Sequence, residues 1–272
     1  MFESWNVHLS IPVGLGLVAT AYAAGVGPIR RRFCLAAAVE PLDVITFGTA
    51  LVILFLVLTG PIHDLSDSYL FSAHMVQHLV LTLVVPPLLL VGTPAWLVRP
   101  LLRPPAVHAT VRFLTRAPVA FTLFTLTLGL WHLPGLYNAT LLLLEVHIFE
   151  HLLFIGTAII AWWPVLSPLP EMRLRPPARV FYLILLTLPM KGIGALLTLA
   201  DDVLYPAYAL APRVFGLGPF EDQRLGGLLM WLPAGFILWG AAAIVFFQWW
   251  TREQEPQAGV DGSSASNPAR PL

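Results

Sequence analysis

The sequence predicts an all-α, polytopic membrane protein with seven transmembrane helices, and three observations lead to this prediction. Of the 272 residues, 57% are hydrophobic and only 11% are charged, whereas soluble domains usually carry about 25% charged residues. Apolar runs of about 20 residues, the length that a helix needs to cross a bilayer, recur along the chain. The alternating pattern that a β-barrel would require does not compete with these runs.

Seven segments are long and apolar enough to span a membrane: 9–27, 42–60, 69–98, 117–137, 142–164, 178–200 and 224–250. The third contains Pro86 and Pro87, so we expect a kink or tilt there. The sequence YNAT at 137–140 predicts a turn that makes the fourth and fifth helices an antiparallel hairpin. We expect a transmembrane domain over 1–252 and a disordered cytoplasmic tail over 253–272, which is polar and rich in Pro, Ser and Gly.

Arginines are distributed unevenly between the predicted loops. The loops after the first, third, fifth and seventh helices contain Arg30, Arg31, Arg32, Arg99, Arg103, Arg112, Arg116, Arg173, Arg175, Arg179 and Arg252. The opposite loops contain Arg213 and Arg224. The positive-inside rule therefore places the N-terminus outside and the C-terminus in the cytoplasm. The net charge of zero gives no basic surface for nucleic acid, and the single cysteine excludes an internal disulfide or a cysteine metal cluster.

Histidines are concentrated near the predicted outer ends of the spans. His74 and His78 begin the third segment, and His147 and His151 begin the fifth; residues four apart share one helix face. His132 ends the fourth segment at the same level. Because polar groups in a membrane are costly without partners, we predict that these five imidazoles converge in one outer pocket that binds a metal ion or cofactor.

Thioether side chains are expected at the same depth. They belong to Met75, Met190 and Met230. Imidazole and thioether ligands together suit copper, and thioethers favour the cuprous state. The pattern therefore predicts a cuprous site.

Other polar residues near the spans are assigned structural roles. The remaining histidines are expected to bond water or backbone carbonyls: His8, His63 and His108. Lys191 lies within the sixth segment, where it pairs with an acid such as Glu150 or Asp201, or extends toward the outer surface.

Four stretches resemble the CtaG family of caa-type cytochrome c oxidase assembly factors: HMVQHLVLTLVVPPLLLVGTP, WHLPGLYNATL, HIFEHLLFIGTAIIAWWP and EDQRLGGLLMWLPAG. They follow one another along the third to seventh helices. The resemblance implies a bacterial inner-membrane protein, not an enzyme, that helps to mature a haem-copper oxidase by delivering copper. Its implied partners are cytochrome c oxidase subunits, other copper chaperones and membrane lipid.

Carried over residue by residue, the resemblance points to His74, Met75, His78, His132, His147 and His151, with Asp222, Met230 and Trp231 in the last motif. Gln77 and Glu150 share helix faces with the two histidine pairs. We expect Gln77, Glu150, Asp222 and Trp231 to support the ligands rather than to bind the metal.

Three alternatives stay open at this level. HIFEH matches the H-x-x-E-H pattern of zinc peptidases, in which Glu150 would be the general base and His132 a third ligand. HMVQH has glutamine at the corresponding position, so this hypothesis leaves the first pair unexplained. A haem-binding cytochrome would use histidines from two helices as axial ligands. A copper permease would need ligands in the inner half of the spans, where the sequence provides no such series.

Overall fold

The computed structural model describes residues 9–254. Its helices, in chain order, are α1 (Ser10–Arg32), α2 (Pro41–Thr59), α3 (Pro61–Ser68), α4 (Phe71–Val91), α5 (Ala95–Leu101), α6 (Pro105–Leu114), α7 (Ala117–Trp131), α8 (Pro134–Leu142), α9 (Leu144–Leu166), α10 (Pro176–Leu199), α11 (Pro206–Leu210) and α12 (Pro219–Gln254). His8 and residues 255–272 of the predicted tail lie outside this range.

Six of these helices are long and apolar enough to cross a membrane, namely α1, α2, α4, α9, α10 and α12. A seventh span is complete only if α6 and α7 are taken together, and these two helices meet at an angle of 66°. Helix α7 alone has 15 residues, or about 22 Å at the usual helical rise. The all-α, polytopic prediction is confirmed, with six or seven spans among the described residues.

Helix α4 deviates from α-helical geometry just before its two prolines. Residues Val80–Val84 form a π-helical turn. Pro86 has no N–H to donate to the Thr82 carbonyl one turn earlier, which leaves that carbonyl without its usual partner. The indole Nε1 of Trp162 on α9 donates to this carbonyl at 3.0 Å. The expected irregularity therefore exists, and a side chain of α9 stabilises it.

The connection between α7 and α9 differs from the predicted hairpin turn. Residues 137–140, the YNAT segment, lie inside the helix α8 rather than in a turn. Proline occupies the first turn of α8, where its fixed φ favours helix initiation. Helices α7 and α9 still pack against each other, with α8 covering the end of the bundle between them.

Helices α10 and α12 form the most extensive helix pair in the bundle. A Cβ atom on Gly194 would lie 2.8 Å from the Gly227 carbonyl oxygen. A Cβ atom on Gly227 would in turn lie 2.5 Å from the Thr198 hydroxyl. Small residues at such a crossing let two membrane helices approach backbone to backbone, which fixes α12 firmly against α10.

Candidate metal centre

The two predicted histidine pairs come together between α4 and α9. The ring centroids of His74 and His78 are 4.2 Å apart, and those of His147 and His151 are 4.3 Å apart. Across the helix interface, His78 lies 5.6 Å from His151 and His74 lies 6.2 Å from His147. All four side chains are buried. Four of the five imidazoles predicted to converge therefore share one buried site.

Glu150 lies at the centre of this group. Its Oε1 atom is 3.9 Å from His74 Nε2 and 3.7 Å from His78 Nε2, and the residue has no exposed surface. A metal ion held by these imidazoles would therefore also be within reach of the Glu150 carboxylate. The sequence-based role of a supporting partner stays a prediction, but the geometry also makes Glu150 a candidate ligand.

The polar atoms of this group have few partners within the protein. Among residues 9–254, neither ring nitrogen of His74 or His78 and neither carboxylate oxygen of Glu150 has a hydrogen-bond partner. The neighbouring Thr140 hydroxyl donates to the Tyr137 carbonyl at 2.7 Å. Buried polar atoms are nearly always paired in folded proteins, so this group requires an account beyond packing.

His147 and His151 face each other through the same type of nitrogen. Their Nε2 atoms are 3.1 Å apart. Two neutral rings can share one hydrogen at this distance, and two bare lone pairs would repel each other unless a cation lay nearby. The pair is therefore suited to hold either a proton or a metal ion.

The short helix α3 adds two residues that the sequence prediction did not place in the site. The His63 ring lies 5.6 Å from that of His147 and 6.3 Å from that of His151. Asp67, one turn later on α3, has its Oδ2 atom 3.6 Å from His147 Nδ1. His63, which we expected to bond water or a backbone carbonyl, instead lies against the cluster. Its i, i+4 spacing from Asp67 was the sequence signal that could have revealed it.

Gln77 fixes the orientation of His63. Its Nε2 atom donates to the Val57 carbonyl and to His63 Nδ1, both at 3.0 Å, and its Oε1 atom accepts from the Ser66 hydroxyl at 2.9 Å. Because Nδ1 accepts, the hydrogen of a neutral His63 ring resides on Nε2. That atom is 3.5 Å from Asp67 Oδ2. Gln77 thus supports the cluster through α3.

Asp222 anchors the helix that carries the first histidine pair. Its carboxylate accepts hydrogen bonds from the backbone N–H groups of Phe71 and Ser72, at 2.6 and 3.1 Å, and from the Ser72 hydroxyl at 2.5 Å. Helix α4 has no side-chain cap of its own. An acid from α12 therefore performs the capping that serine or aspartate usually provides locally.

Three buried tyrosines pack against one another beside His74. Tyr137 lies 5.0 Å from the His74 ring, and its hydroxyl is 3.2 Å from that of Tyr208. Tyr208 donates to the Ser66 carbonyl at 2.5 Å, so Tyr137 is the donor in the tyrosine pair. Burial raises the pKa of Tyr208 and of Tyr205, which lie between the spans. Both hydroxyls therefore remain protonated donors.

His132 lies beside the cluster rather than within it. Its Nδ1 atom donates to the Leu128 carbonyl at 2.7 Å, and its ring is 6.5 Å from that of Tyr137. Its Nε2 atom is buried and has no hydrogen-bond partner among the described residues. Tyr137 thus contacts both His132 and His74.

The predicted thioether ligands lie in the apolar core. Met75, Met190 and Met230 all belong to the main hydrophobic cluster of the bundle, and Met75 packs toward Gly226 of α12. Trp231 contacts Gly194 at the crossing of α10 and α12. The structure gives these residues packing contacts, and their predicted part in metal binding stays a prediction.

Two polar residues lie away from the cluster. His108 is exposed on α6, at the opposite end of the bundle. The ammonium group of Lys191 lies 4.0 Å from the ring centroid of Trp239 on α12. This contact with an aromatic ring takes the place of the pairing with Glu150 or Asp201 that was one of the two expectations for Lys191.

Seven side chains at this end could act together on a metal ion. Their ligand atoms form three overlapping groups, each with all atoms within 4.8 Å of one another. The groups are His74–His78–Glu150, His147–Glu150–His151 and His63–Asp67–His147. Glu150 and His147 each belong to two groups, which joins the three into one continuous cluster. We call these seven residues the histidine cluster.

The fold and the cluster define a class: a polytopic helical membrane protein with a buried imidazole and carboxylate site at one end of its bundle. Comparison with known proteins gives the family. The sequence pattern of the cytochrome c oxidase caa3 assembly factors matches residues 20–252. The chain belongs to this family, as the four motifs predicted.

Two mycobacterial proteins are similar to the chain, and both are uncharacterized. The chain is 27% identical over 245 residues to the uncharacterized protein Mb0105 of Mycobacterium bovis and, equally, to the uncharacterized protein MT0111 of Mycobacterium tuberculosis. The matches cover 84% of this chain and 36% of each relative, so the chain spans about a third of their length. No solved structure matches the chain.

Proposed function

We propose that this assembly factor binds copper at the histidine cluster and delivers it to a haem-copper oxidase during assembly. One observation carries the proposal. Six ligand atoms of His74, His78 and Glu150 are buried and have no hydrogen-bond partner among the described residues. A bound cation would satisfy one nitrogen of each ring and the carboxylate, whereas an empty apolar site would leave these groups unpaired at a cost of about 1–3 kcal/mol each.

The donor set fits copper. Imidazole binds both oxidation states of copper, and a carboxylate suits the cupric ion. Because the thioethers of Met75, Met190 and Met230 pack in the apolar core, the preference for the cuprous state that they would confer is weakened. Copper is the cargo of this proposal, so its oxidation state is something to be measured on the loaded protein.

Asp67 provides the orientation that a histidine ligand needs. Metal-binding histidines usually direct their second ring nitrogen toward a carboxylate, which fixes the tautomer. Asp67 lies on the Nδ1 side of His147, while Nε2 faces His151. A hydrogen on Nδ1 would leave the Nε2 lone pair directed into the cluster. Asp67 is therefore a positioning residue in this proposal.

The proposed orientation puts the cluster on the outer side of the bacterial inner membrane. The cluster lies at the starts of α4 and α9, and the arginine-rich segments lie at their other ends. The positive-inside rule supports cytoplasmic arginines, which leaves the N-terminus and the histidine cluster outside. Reporter fusions after Arg32, Arg116 and Arg175 should all report the cytoplasm, and an outside signal from any of them contradicts this orientation.

A zinc peptidase is the second candidate, because His147, Glu150 and His151 do form one group of potential ligands. In that mechanism Glu150 must act as base on a metal-bound water. The complete burial of Glu150 between His74 and His78 favours metal storage over attack on a peptide. A defined proteolytic product that disappears in a Glu150→Gln strain would support the peptidase.

The test measures metal on the purified full-length protein by mass spectrometry, with visible and electron paramagnetic resonance spectra. We expect copper in the unmodified chain and its loss in the double variant His74→Ala/His78→Ala. His108→Ala is the matched control, since His108 is an exposed histidine at the other end. A haem spectrum or stoichiometric zinc would contradict the copper assignment.

Delivery is tested in cells. The double variant should lower the copper content and activity of the oxidase while the variant itself remains inserted and abundant. Added copper should partly restore both. Full copper loading of the oxidase in the presence of the double variant would overturn the delivery role, even if the purified protein binds copper.

A further inference from the structure

A large groove lies at the opposite end of the bundle from the histidine cluster. It has a volume of about 780 Å³ and is walled by α4, α9 and α12. Its apolar lining includes Leu90, Trp162, Phe236 and Ile244. Along α9, Val165 of this groove is 14 residues from His151, or roughly 21 Å. The groove is therefore separate from the histidine cluster.

Two arginines line one end of this apolar groove. Arg173 precedes α10 and Arg179 lies in its first turn. Arg252, near the end of α12, is close enough for its charge to repel that of Arg179. The Nε atom of Arg179 is buried and has no hydrogen-bond partner among residues 9–254. A cluster of like charges at an apolar groove indicates an anionic partner.

The nearby carboxylates do not neutralise this cluster. No aspartate or glutamate occurs among the described residues that line the groove. Glu171 makes a bidentate pair with Arg99, at 2.7 and 3.1 Å. Glu253 accepts a hydrogen bond from the Trp249 indole at 2.8 Å. Arg173 donates only to a backbone carbonyl, that of Ser167, in the contacts described.

We propose that an anionic phospholipid occupies this groove, with its phosphate at Arg173 and Arg179 and an acyl chain along α12. The positive charge of the two arginines favours an anion, and the apolar walls of the groove favour a hydrocarbon chain. The exposed faces of Phe236 and Ile244 on α12 open the groove toward the membrane, where lipid is the solvent. Lipid anions bind basic residues at the cytoplasmic surface of membranes in the same way.

Binding is measured on the full-length protein in neutral detergent. Dioleoyl phosphatidylglycerol, dioleoyl phosphatidylcholine and inorganic phosphate are titrated separately, and bound lipid is counted by native mass spectrometry alongside the thermal midpoint. We expect phosphatidylglycerol to bind at least tenfold more tightly than phosphatidylcholine. Inorganic phosphate should have no effect at comparable concentrations. An equal effect of phosphate would mean that the site holds a free anion, and would overturn the lipid assignment.

Two variants separate the headgroup from the chain. Arg173→Ala/Arg179→Ala should weaken phosphatidylglycerol binding about 30-fold, since each basic residue contributes a factor of about five. Arg103→Ala/Arg112→Ala removes the same charge from α6 and its preceding loop, which do not line the groove, and should change binding little. An equal loss in both double variants would indicate a nonspecific charge effect and would contradict the proposal.

Gly240 tests the chain position without altering charge. It lines the groove, and a Cβ atom there would meet nothing within 4 Å. The Gly240→Leu variant should therefore fold normally. Its leucine side chain should fill the groove and weaken the binding of both lipids at least fivefold. Gly129→Leu is the matched control, because Gly129 also has open space but lies on α7 away from the groove. Unchanged lipid binding in Gly240→Leu would exclude this groove as the chain site.

Discussion

The two ends of the bundle differ in how deeply their polar side chains are buried. At the cluster end, the imidazoles and the Glu150 carboxylate are buried, close together and only partly hydrogen-bonded. At the arginine end, charged side chains are largely exposed, as in the pair between Arg99 and Glu171. Exposed arginines are explained by topology alone. Buried atoms without partners destabilise the fold, so their concentration around Glu150, where His74, His78 and Glu150 contribute six of them, indicates that function maintains them.

Removal of the Asp222 cap should have the largest effect on stability at the cluster end. Asp222→Ala leaves the N–H groups of Phe71 and Ser72 buried without acceptors, and we expect a loss of about 2–4 kcal/mol in unfolding free energy. Asp202→Ala is the control, since its side chain is exposed on the preceding loop. Thermal and denaturant unfolding in detergent measure the difference. A loss below about 0.5 kcal/mol would show that α4 does not depend on this cap.

Glu150 and Glu171 offer a direct comparison of one substitution at the two ends. Glu150→Gln should weaken copper binding by at least tenfold, as loss of a ligand or of its closest support does. Glu171→Gln should leave binding unchanged, because it lies at the arginine end. Competition with a chelator of known affinity measures both variants. Equal affinities would remove Glu150 from the proposed site.

The indole of Trp162 should contribute a moderate amount to stability. Trp162→Phe keeps an aromatic ring but removes the donor to the Thr82 carbonyl, at a cost of about 1–2 kcal/mol. Trp163→Phe is the matched control, since its Nε1 atom has no hydrogen-bond partner within residues 9–254. If the two variants lose the same stability, the π-helical turn of α4 does not require this bond.

The smallest effect should come from the exposed ion pair at the arginine end. A hydrogen bond from its own backbone N–H, and then the Arg99 guanidinium, lower the pKa of Glu171 below its ordinary 4.5. The stability that ionised Glu171 gives to the fold is therefore complete above about pH 4.5, and it is lost as the pH falls through the lowered pKa. Exposed pairs contribute about 1 kcal/mol or less.

Thermal midpoints between pH 3 and 6 at low salt should show this loss in the unmodified chain. The loss should be absent in Glu171→Gln and small at 1 M salt, where the Debye length is about 3 Å. A salt-insensitive difference between the two proteins would contradict an electrostatic origin.

The sequence predicted the features that depend on local periodicity. The i, i+4 spacing of His74 with His78 and of His147 with His151 determines which face of each helix they occupy, and the structure brings the two faces together. Pro86 and Pro87 predicted where α4 would depart from regular geometry. These features follow from a few residues and the geometry of one helix.

Features that depend on the path of the chain between helices were not predictable in this way. Helix α3 begins after Gly60 and folds back against α4, which brings His63 and Asp67 to the cluster. The hydropathy of Met75 is compatible with a ligand or a core residue, and its packing against Gly226 depends on where α12 lies. The YNAT segment contains common turn residues, yet Pro134 initiates a helix through it.

The cap on α4 also has a consequence for biosynthesis. Asp222 is separated by 151 residues from Phe71, the residue whose N–H it accepts. When the ribosome has completed α4 and α9, all the residues of the histidine cluster have been synthesised, but the carboxylate that anchors α4 has not. The cluster therefore acquires its final support only when the last span has entered the membrane, so a truncated or half-inserted chain would lack a properly held histidine cluster.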